Sequence, residues 1–396
     1  MKRFAAVRAA DLHGLSRLGT EATLGLVDLV EAVHLRVASP PGFTRAEDRS
    51  RGLTGLVYRS IRGVTRLAGG SVEGLLALLS RDLQLPADAA PQPEREALLA
   101  ALNGVLGDRL AASANPLALS MAMRQQGRPW RGGAPAEAGP RLLLLIHGLC
   151  MNDLQWQRGG HDHGQALAAA LGYTPVYVHY NSGLPIGANG LALARLLEDR
   201  LRGWPQPLQR FAILGHSMGG LVARSAIHQA GQLGLTWPQR LDDLVCLGTP
   251  HLGAPLERAG HGVDLLLGAT PYAAPFARLG KLRSAGITDL RHGQLLSLVP
   301  GGVDRFARRT PPPVHVPLPL GPRSHALAGT LALADGVGTA LLGDGLVPLN
   351  SALGQHADPQ RSLAFAPERQ WVGAGIGHLA LLSHAAVFER LRQILA

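Results

Sequence analysis

The segment Gly215-His216-Ser217-Met218-Gly219, with Gly220 behind it, is the stretch of this sequence best suited to chemistry. A serine hydroxyl is a weak nucleophile until it is exposed and set beside a base. The apolar run Phe211-Ala212-Ile213-Leu214 precedes the segment, and the helical pattern Leu221-Val222-Ala223-Arg224 follows it, which describes a strand, a sharp turn and a helix. Such a turn lifts the serine oxygen above a sheet, and glycine two residues to either side relieves the crowding of the backbone. The start of the following helix adds positive dipole where negative charge develops. Ser217 is the candidate nucleophile; the bland alternative is an ordinary glycine-rich turn.

A negatively charged tetrahedral intermediate needs hydrogen-bond donors. His147-Gly148-Leu149 directly follows Leu142-Leu143-Leu144-Leu145-Ile146, and a loop leaving a neighbouring strand can aim a backbone N–H at the oxyanion. The Leu149 amide is assigned that part, with the Met218 amide as its partner; losing one such donor costs about 100- to 1000-fold in rate. His147 is expected to brace the loop, and Cys150 to be a small loop residue rather than a reactive thiol. With a serine on such an elbow, the acid and then the histidine follow it in the chain. Asp344, in Gly343-Asp344-Gly345-Leu346-Val347-Pro348, is the preferred acid over Asp335 and Asp358. It would fix the tautomer of the histidine and stabilise the imidazolium. His378, in Gly373-Ala374-Gly375-Ile376-Gly377-His378-Leu379, is the preferred base over His356 and His384. It hangs in a loop between the strand-like Gln370-Trp371-Val372 and a helix expected from Leu381 to Leu395, in which His384 would lie.

These residues need a scaffold. Short apolar runs at Leu142 to Ile146, Pro175 to Val178, Phe211 to Leu214 and Leu244 to Leu247 alternate with helical patterns at Leu191 to Leu201 and Leu221 to Ala230. Continuous apolar strands separated by helices imply an α/β fold, a mostly parallel sheet with helices on both faces. Upstream, Leu117, Leu119, Met121 and Met123 alternate with smaller or polar residues, which predicts a strand with one buried face. Residues 1–112 read as helical. Leu26, Val30, Val33 and Val37 recur at helical spacing up to Pro40-Pro41, a third stretch runs from Ser71 to Leu83, and a fourth begins near Glu94. The second stretch sets Leu56, Ile61, Val64 and Leu67 on one side and Arg59, Arg62 and Arg66 on another. It is expected to pack on the main domain with arginine facing water; the alternative is a basic amphipathic helix lying on a membrane.

The chain has 396 residues, a formal net charge of +10 and only 4% aromatic residues. Lys2 and Lys281 are the only lysines, and the scattered arginines are not interleaved with aromatics as nucleic-acid binding would need. No nucleic-acid partner is expected. Cys150 and Cys246 imply no disulfide framework, and no ligand cluster at metal-site spacing is seen. Arg8 and Asp11 interrupt the apolar stretch too early for a signal peptide, and no apolar run is long enough to span a bilayer. The expected location is the cytoplasm, with peripheral attachment to a membrane through the N-terminal helices as an alternative.

From about residue 116 onward the sequence resembles the bacterial lipase-type α/β-hydrolases, including the group similar to the GPI inositol-deacylase domain. The resemblance is carried by His147-Gly148-Leu149, the Ser217 segment, Leu247-Gly248-Thr249-Pro250-His251-Leu252-Gly253, Asp344-Gly345-Leu346-Val347-Pro348 and Gly377-His378-Leu379, in that order. It implies carboxylic-ester hydrolysis through an acyl-enzyme without a cofactor. It also implies that Gly248 to Gly253 is a structural turn near the site in which His251 is not catalytic. The expected organisation is a helical region over 1–112 and a hydrolase domain over 113–396, with a cap-like insertion around 256–323. An apolar lining from Leu149, Met218 and Val263 to Leu267 points to a small-molecule or lipid-like acyl ester. The rival readings are an acyltransferase or thioesterase using the same residues, and a membrane-associated binding protein with a vestigial site.

Overall fold

The computed structural model describes residues 9–38, 57–68, 70, 92–130, 138–254, 284–296, 314–332 and 343–396. The third N-terminal stretch, Asp335, Val263 to Leu267 and most of the expected insertion lie outside these residues. The chain divides into two compact units, one of residues 1–89 and 110–118, the other of residues 90–109 and 119–396. Residues 90–109 thus fall with the larger unit, not with the N-terminal helices among which the fourth stretch was expected.

In the larger unit, the strands are β1 (Ala122–Gln125), β2 (Arg128–Pro129), β3 (Arg141–Ile146), β4 (Thr174–His179), β5 (Arg210–His216), β6 (Asp243–Leu247), β7 (Arg323–Thr330) and β8 (Gln370–Ala374). They form one sheet in the order β2-β1-β4-β3-β5-β6-β7-β8, parallel from β4 to β8, with β1 antiparallel to β4 and β2. Leu142 to Ile146 and Phe211 to Leu214 are buried on both faces, which is why they read as unbroken apolar runs rather than as alternating ones. The helices are α1 (Ala9–Ala38) and α2 (Pro93–Ala112), then α3 (His163–Leu171), α4 (Ile186–Arg202), α5 (Met218–Gln232), α6 (Ala285–His292), α7 (Leu349–Ala352) and α8 (Ala385–Leu395). A side chain at Gly190 on α4 would collide with Ser225 on α5, so glycine lets these two helices approach closely.

The strand expected from Leu117 shrinks to Ala122–Gln125. Local side chains capture the amides that would have joined it: the Asn115 Oδ1 accepts from Leu117 N at 2.9 Å, and the Asn103 Oδ1 accepts from Leu119 N at 2.9 Å. Asparagine competes with a ladder in this way wherever its short side chain reaches the backbone. The C-terminal helix is also shorter than expected. A 3₁₀ turn at Ala380–Leu382 comes first, and His384 lies not inside the helix but at its N-cap, accepting from Ala386 N.

In the smaller unit, α1 and the helical residues 57–68 show which side of the second stretch faces inward. Arg62 is buried and Val64 and Leu67 are 66% and 74% exposed, contrary to expectation at these three positions. Arg62 donates from Nε to Asp28 Oδ1 at 2.8 Å and is paired with the buried Glu31. Arginine accepts burial when paired, and here α1 supplies the carboxylates. Arg59 and Arg66 do face water. Among the described residues no helix is long and apolar enough to cross a membrane.

Candidate active site

The register of the parallel strands brings the chemically competent loops to one edge. Ile146 aligns with Gly215, His216 with Leu247, Leu247 with Leu327, and Thr330 with Ala374. The segments after β3, β5, β6, β7 and β8 therefore leave the sheet at its C-terminal edge, where open α/β sheets bind ligands.

Ser217 sits between β5 and α5 with φ of 53°, a left-handed conformation that a non-glycine residue adopts only under local constraint. Its amide donates to Leu247 O at 2.8 Å and its carbonyl accepts from Gly220 N at 3.1 Å. The flanking glycines are sterically required. A side chain at Gly219 would collide with the carbonyl oxygens of Ile146 and His147, and one at Gly215 would lie 2.6 Å from the Gly220 backbone. The Gly148 backbone faces the nucleophile closely enough that an added Cβ would lie 3.1 Å from the Ser217 Cβ. Leu149 and Met218 are both buried. Met218 is the first residue of α5, where an amide has no intrahelical acceptor.

Asp344 and His378 meet at two points. The His378 Nδ1 donates to Asp344 Oδ2 at 2.7 Å, and the His378 backbone N–H donates to Asp344 O at 2.9 Å. The other carboxylate oxygen of Asp344 accepts from Leu346 N at 3.0 Å and Val347 N at 2.8 Å. This tight turn is why the acid is followed by Gly345 at φ of 95°. With Nδ1 protonated towards Asp344, the His378 Nε2 carries the lone pair; it is buried and has no partner among the described residues. The His378 ring packs on that of His216, the residue before Ser217, with centroids 4.7 Å apart, and His216 Nε2 donates to His378 O at 3.1 Å. Ser217 Oγ and His378 Nε2 are not hydrogen-bonded here, and such bonds in a free enzyme commonly tighten only with substrate.

The rivals sit elsewhere. Asp358 caps the turn Pro359–Arg361, and His356 Nδ1 accepts from Asp358 N at 2.9 Å. Gly248 backs the Asp344–His378 pair, since a Cβ there would lie 3.0 Å from Asp344 Oδ2 and 3.2 Å from His378 Nδ1. His251, from the same turn, faces Arg224 instead. Cys150 is buried with its thiol pushed up to about 12 by that burial, and its amide donates to Ser182 Oγ at 3.0 Å.

His147 donates from Nδ1 to Gly148 O at 2.9 Å, and burial lowers its pKa to about 3, so it stays neutral. Two further residues position this edge and went unnoticed in the sequence. Tyr180 stacks on the His147 ring with centroids 4.3 Å apart and donates to His147 O at 2.8 Å. Trp156 meets the His216 ring edge-on at 6.4 Å. Only strand register could have found Tyr180, because it follows β4, the neighbour of β3.

The sheet order, the strained serine between β5 and α5, and the aspartate and histidine after β7 and β8 define the class: this is an α/β-hydrolase fold. Within that class, residues 195–295 match the family described as the PGAP1-like alpha/beta domain. No curated protein sequence matches the chain. Among solved structures, the mature lipase BlEst2 of Bacillus licheniformis is 18% identical over 70% of this chain and 98% of its own, with a TM-score of 0.41. A lipase-esterase related protein from Clostridium acetobutylicum is 13% identical over 66% of this chain and 96% of its own, with a TM-score of 0.37. The RedJ thioesterase of the prodiginine pathway in Streptomyces coelicolor is 19% identical over 69% and 96%, with a TM-score of 0.35.

Proposed function

We propose that this protein is a serine hydrolase that cleaves carboxylic esters through an acyl-enzyme on Ser217. One observation carries the reading: the buried Asp344–His378 pair leaves the His378 Nε2 lone pair unpartnered on the loop that packs against the Ser217 elbow. His378 Nε2 takes the Ser217 proton as Oγ attacks the ester carbonyl carbon. The Leu149 and Met218 amides stabilise the oxyanion. As the tetrahedral adduct collapses, His378 returns the proton to the departing alkoxide and an alcohol leaves. Water then gives its proton to His378 and attacks the acyl carbonyl, and collapse restores Ser217 and releases the acid. Asp344 holds the Nδ1–H tautomer throughout.

The buried apolar residues Leu149 and Met218 at the elbow favour an acyl chain over a polar acid portion, which makes a lipid-like ester the expected substrate class. The exposed Val64 and Leu67 of the N-terminal unit suit peripheral contact with a lipid surface.

The test is turnover of p-nitrophenyl esters from short to long acyl chains by the native protein and by Ser217→Ala. The variant is expected to lose about 10⁵-fold or more in kcat, and the native protein to prefer the longer chains. Equal turnover by both proteins removes Ser217 from the mechanism. Product analysis with added alcohols separates hydrolysis from acyl transfer.

A further inference from the structure

Arg224 lies on α5 seven residues beyond Ser217, about 10 Å along the helix from it. Its side chain is buried at 3% exposure, a position arginine rarely occupies without a carboxylate. Its guanidinium instead meets His251 Nδ1 at 3.2 Å and donates to Val316 O. Arginine has only protons to offer, so His251 Nδ1 accepts and His251 Nε2 carries the hydrogen. Both Arg224 Nε–H and His251 Nε2–H are buried and without partners among the described residues. The orphaned groups are thus donors on both residues.

These residues line a pocket of about 70 Å³ together with His292, His315, His356 and Arg361, and among the described residues no aspartate or glutamate lines it. The His356 Nδ1 accepts from Asp358 N, which leaves its Nε2 as another donor. Arg361 forms no ion pair among the described residues, and Asp358 nearby spends Oδ1 on Gln360 N. Burial pulls the Arg224 pKa down to about 10, which still leaves the group charged at neutral pH. A buried charge is tolerated when something of opposite sign is beside it. The space holds about five water molecules, which suits a tetrahedral oxyanion.

We infer that this pocket is a binding site for a small oxyanion of the phosphate class, held by Arg224, His251 and Arg361 and separate from the ester-cleaving site. Phosphate oxygens accept from several donors at once, and arginine matches their geometry in a fork. The anion would satisfy the two orphaned donors and neutralise Arg224. The same chemistry is offered by free phosphate and by the phosphomonoester of a lipid headgroup.

The experiment is isothermal titration of the full-length protein with inorganic phosphate and with glycerol 3-phosphate at constant ionic strength. Saturable binding at one site is expected, about tenfold weaker in Arg361→Gln and about a hundredfold weaker in Arg224→Met. Arg361 is half-buried and forms no ion pair among the described residues, so its variant keeps the test decisive should Arg224→Met fail to fold. Ester turnover by Arg361→Gln is expected to match the native protein, and binding is read whether or not esters prove to be substrates. Equal affinity for both ligands assigns the site to headgroups, and phosphate alone assigns it to the free ion. No saturable binding of either at millimolar concentration, or binding indifferent to Arg361→Gln, overturns the proposal.

Discussion

The two ends of the same parallel sheet are built on opposite principles. At the N-terminal end, Asp243 opens β6 with its carboxylate fully buried, and two arginines and a histidine are directed at it. Arg210 reaches Oδ2 at 3.0 Å and Arg323 at 2.7 Å, from the first residues of the flanking strands, and His325 meets Oδ1 at 3.3 Å. Burial alone would raise the Asp243 pKa, but the His325 hydrogen bond and the two arginines outweigh it and hold the carboxyl below 3.8. At the C-terminal end, Asp344 receives one histidine and two backbone amides, with no arginine among its partners in the described residues. His378 keeps an unsatisfied nitrogen there, beside a serine in a strained conformation. The Asp243 carboxylate is saturated with charge and serves as a clamp. Its His325 keeps a buried Nδ1 without a partner among the described residues, just as His378 keeps its Nε2; what differs is that His378 lies beside a serine on a strained turn. Proximity of an acid to a histidine therefore does not mark a catalytic site by itself. Nor does an unsatisfied histidine nitrogen, which His325 and His378 share; the strained serine beside His378 is what sets that pair apart.

The largest expected effect that tests this contrast is Asp344→Asn. Asparagine can still accept from the Leu346 and Val347 amides, so the fold should survive, while kcat falls about 10⁴-fold because the histidine tautomer is no longer enforced. A variant that keeps near-native kcat in an ester assay would give Asp344 the same structural status as Asp243. The converse substitution, Asp243→Asn, should leave kcat unchanged and lower stability by about 2 kcal/mol. That figure discounts a broken buried pair because Arg210 and Arg323 are partly exposed. Urea unfolding monitored by circular dichroism measures it, and a loss of turnover without a loss of stability would contradict the clamp.

A pH series separates the two ends further. Burial lowers the pKa of His163 from 6.5 to about 4, and His163 Nε2 donates to Leu381 O beneath the His378 loop. His147 is lowered by burial to about 3. These histidines fold as neutral groups, so the unfolded chain binds more protons once the pH drops below 6.5. Their stabilisation is complete above that pH and declines as pH falls, by about 2 kcal/mol for each at about pH 5. Asp243 loses stabilisation in the same direction but in a lower window and as a charged group: its carboxylate stabilises above 3.8, and that contribution is lost as pH falls below it. Thermal unfolding should show the first loss in the native protein and in Asp243→Asn alike, and a shallower decline below 3.8 only in the variant. An identical acid limb in both proteins would remove Asp243 from the account.

How much of this was legible before any coordinates follows from the range of the interactions. The elbow around Ser217 could be read directly, because its demands are local: an apolar strand, glycine where the backbone crosses, and a helix start, all within a dozen residues. Asp344 and His378 were visible as a turn and a glycine-rich loop in the right chain order, and the structure brings them within hydrogen-bonding distance of each other. The short strand at Ala122–Gln125 was overestimated because apolar alternation says nothing of a distant Asn103 that captures an amide. The second N-terminal helix was misread at Arg62, Val64 and Leu67, since periodicity separates apolar from basic residues without saying which finds a partner. Asp28 and Glu31 made the Arg62 side the buried one.

What the sequence determined by itself was the set of parts: a parallel α/β sheet, a serine on a strand–turn–helix elbow, and an aspartate and a histidine after it in order. These follow from side-chain periodicity and from backbone sterics, which act between near neighbours. Tertiary structure decided which of the many polar residues would be satisfied. Asp243 gathered its cations across three strands, and Tyr180 braced His147 from the next strand. Arg224, a single residue in an ordinary helical pattern, was buried beside a pocket without a carboxylate. Those outcomes depend on pairings between residues far apart in the chain, which only strand register and packing bring together.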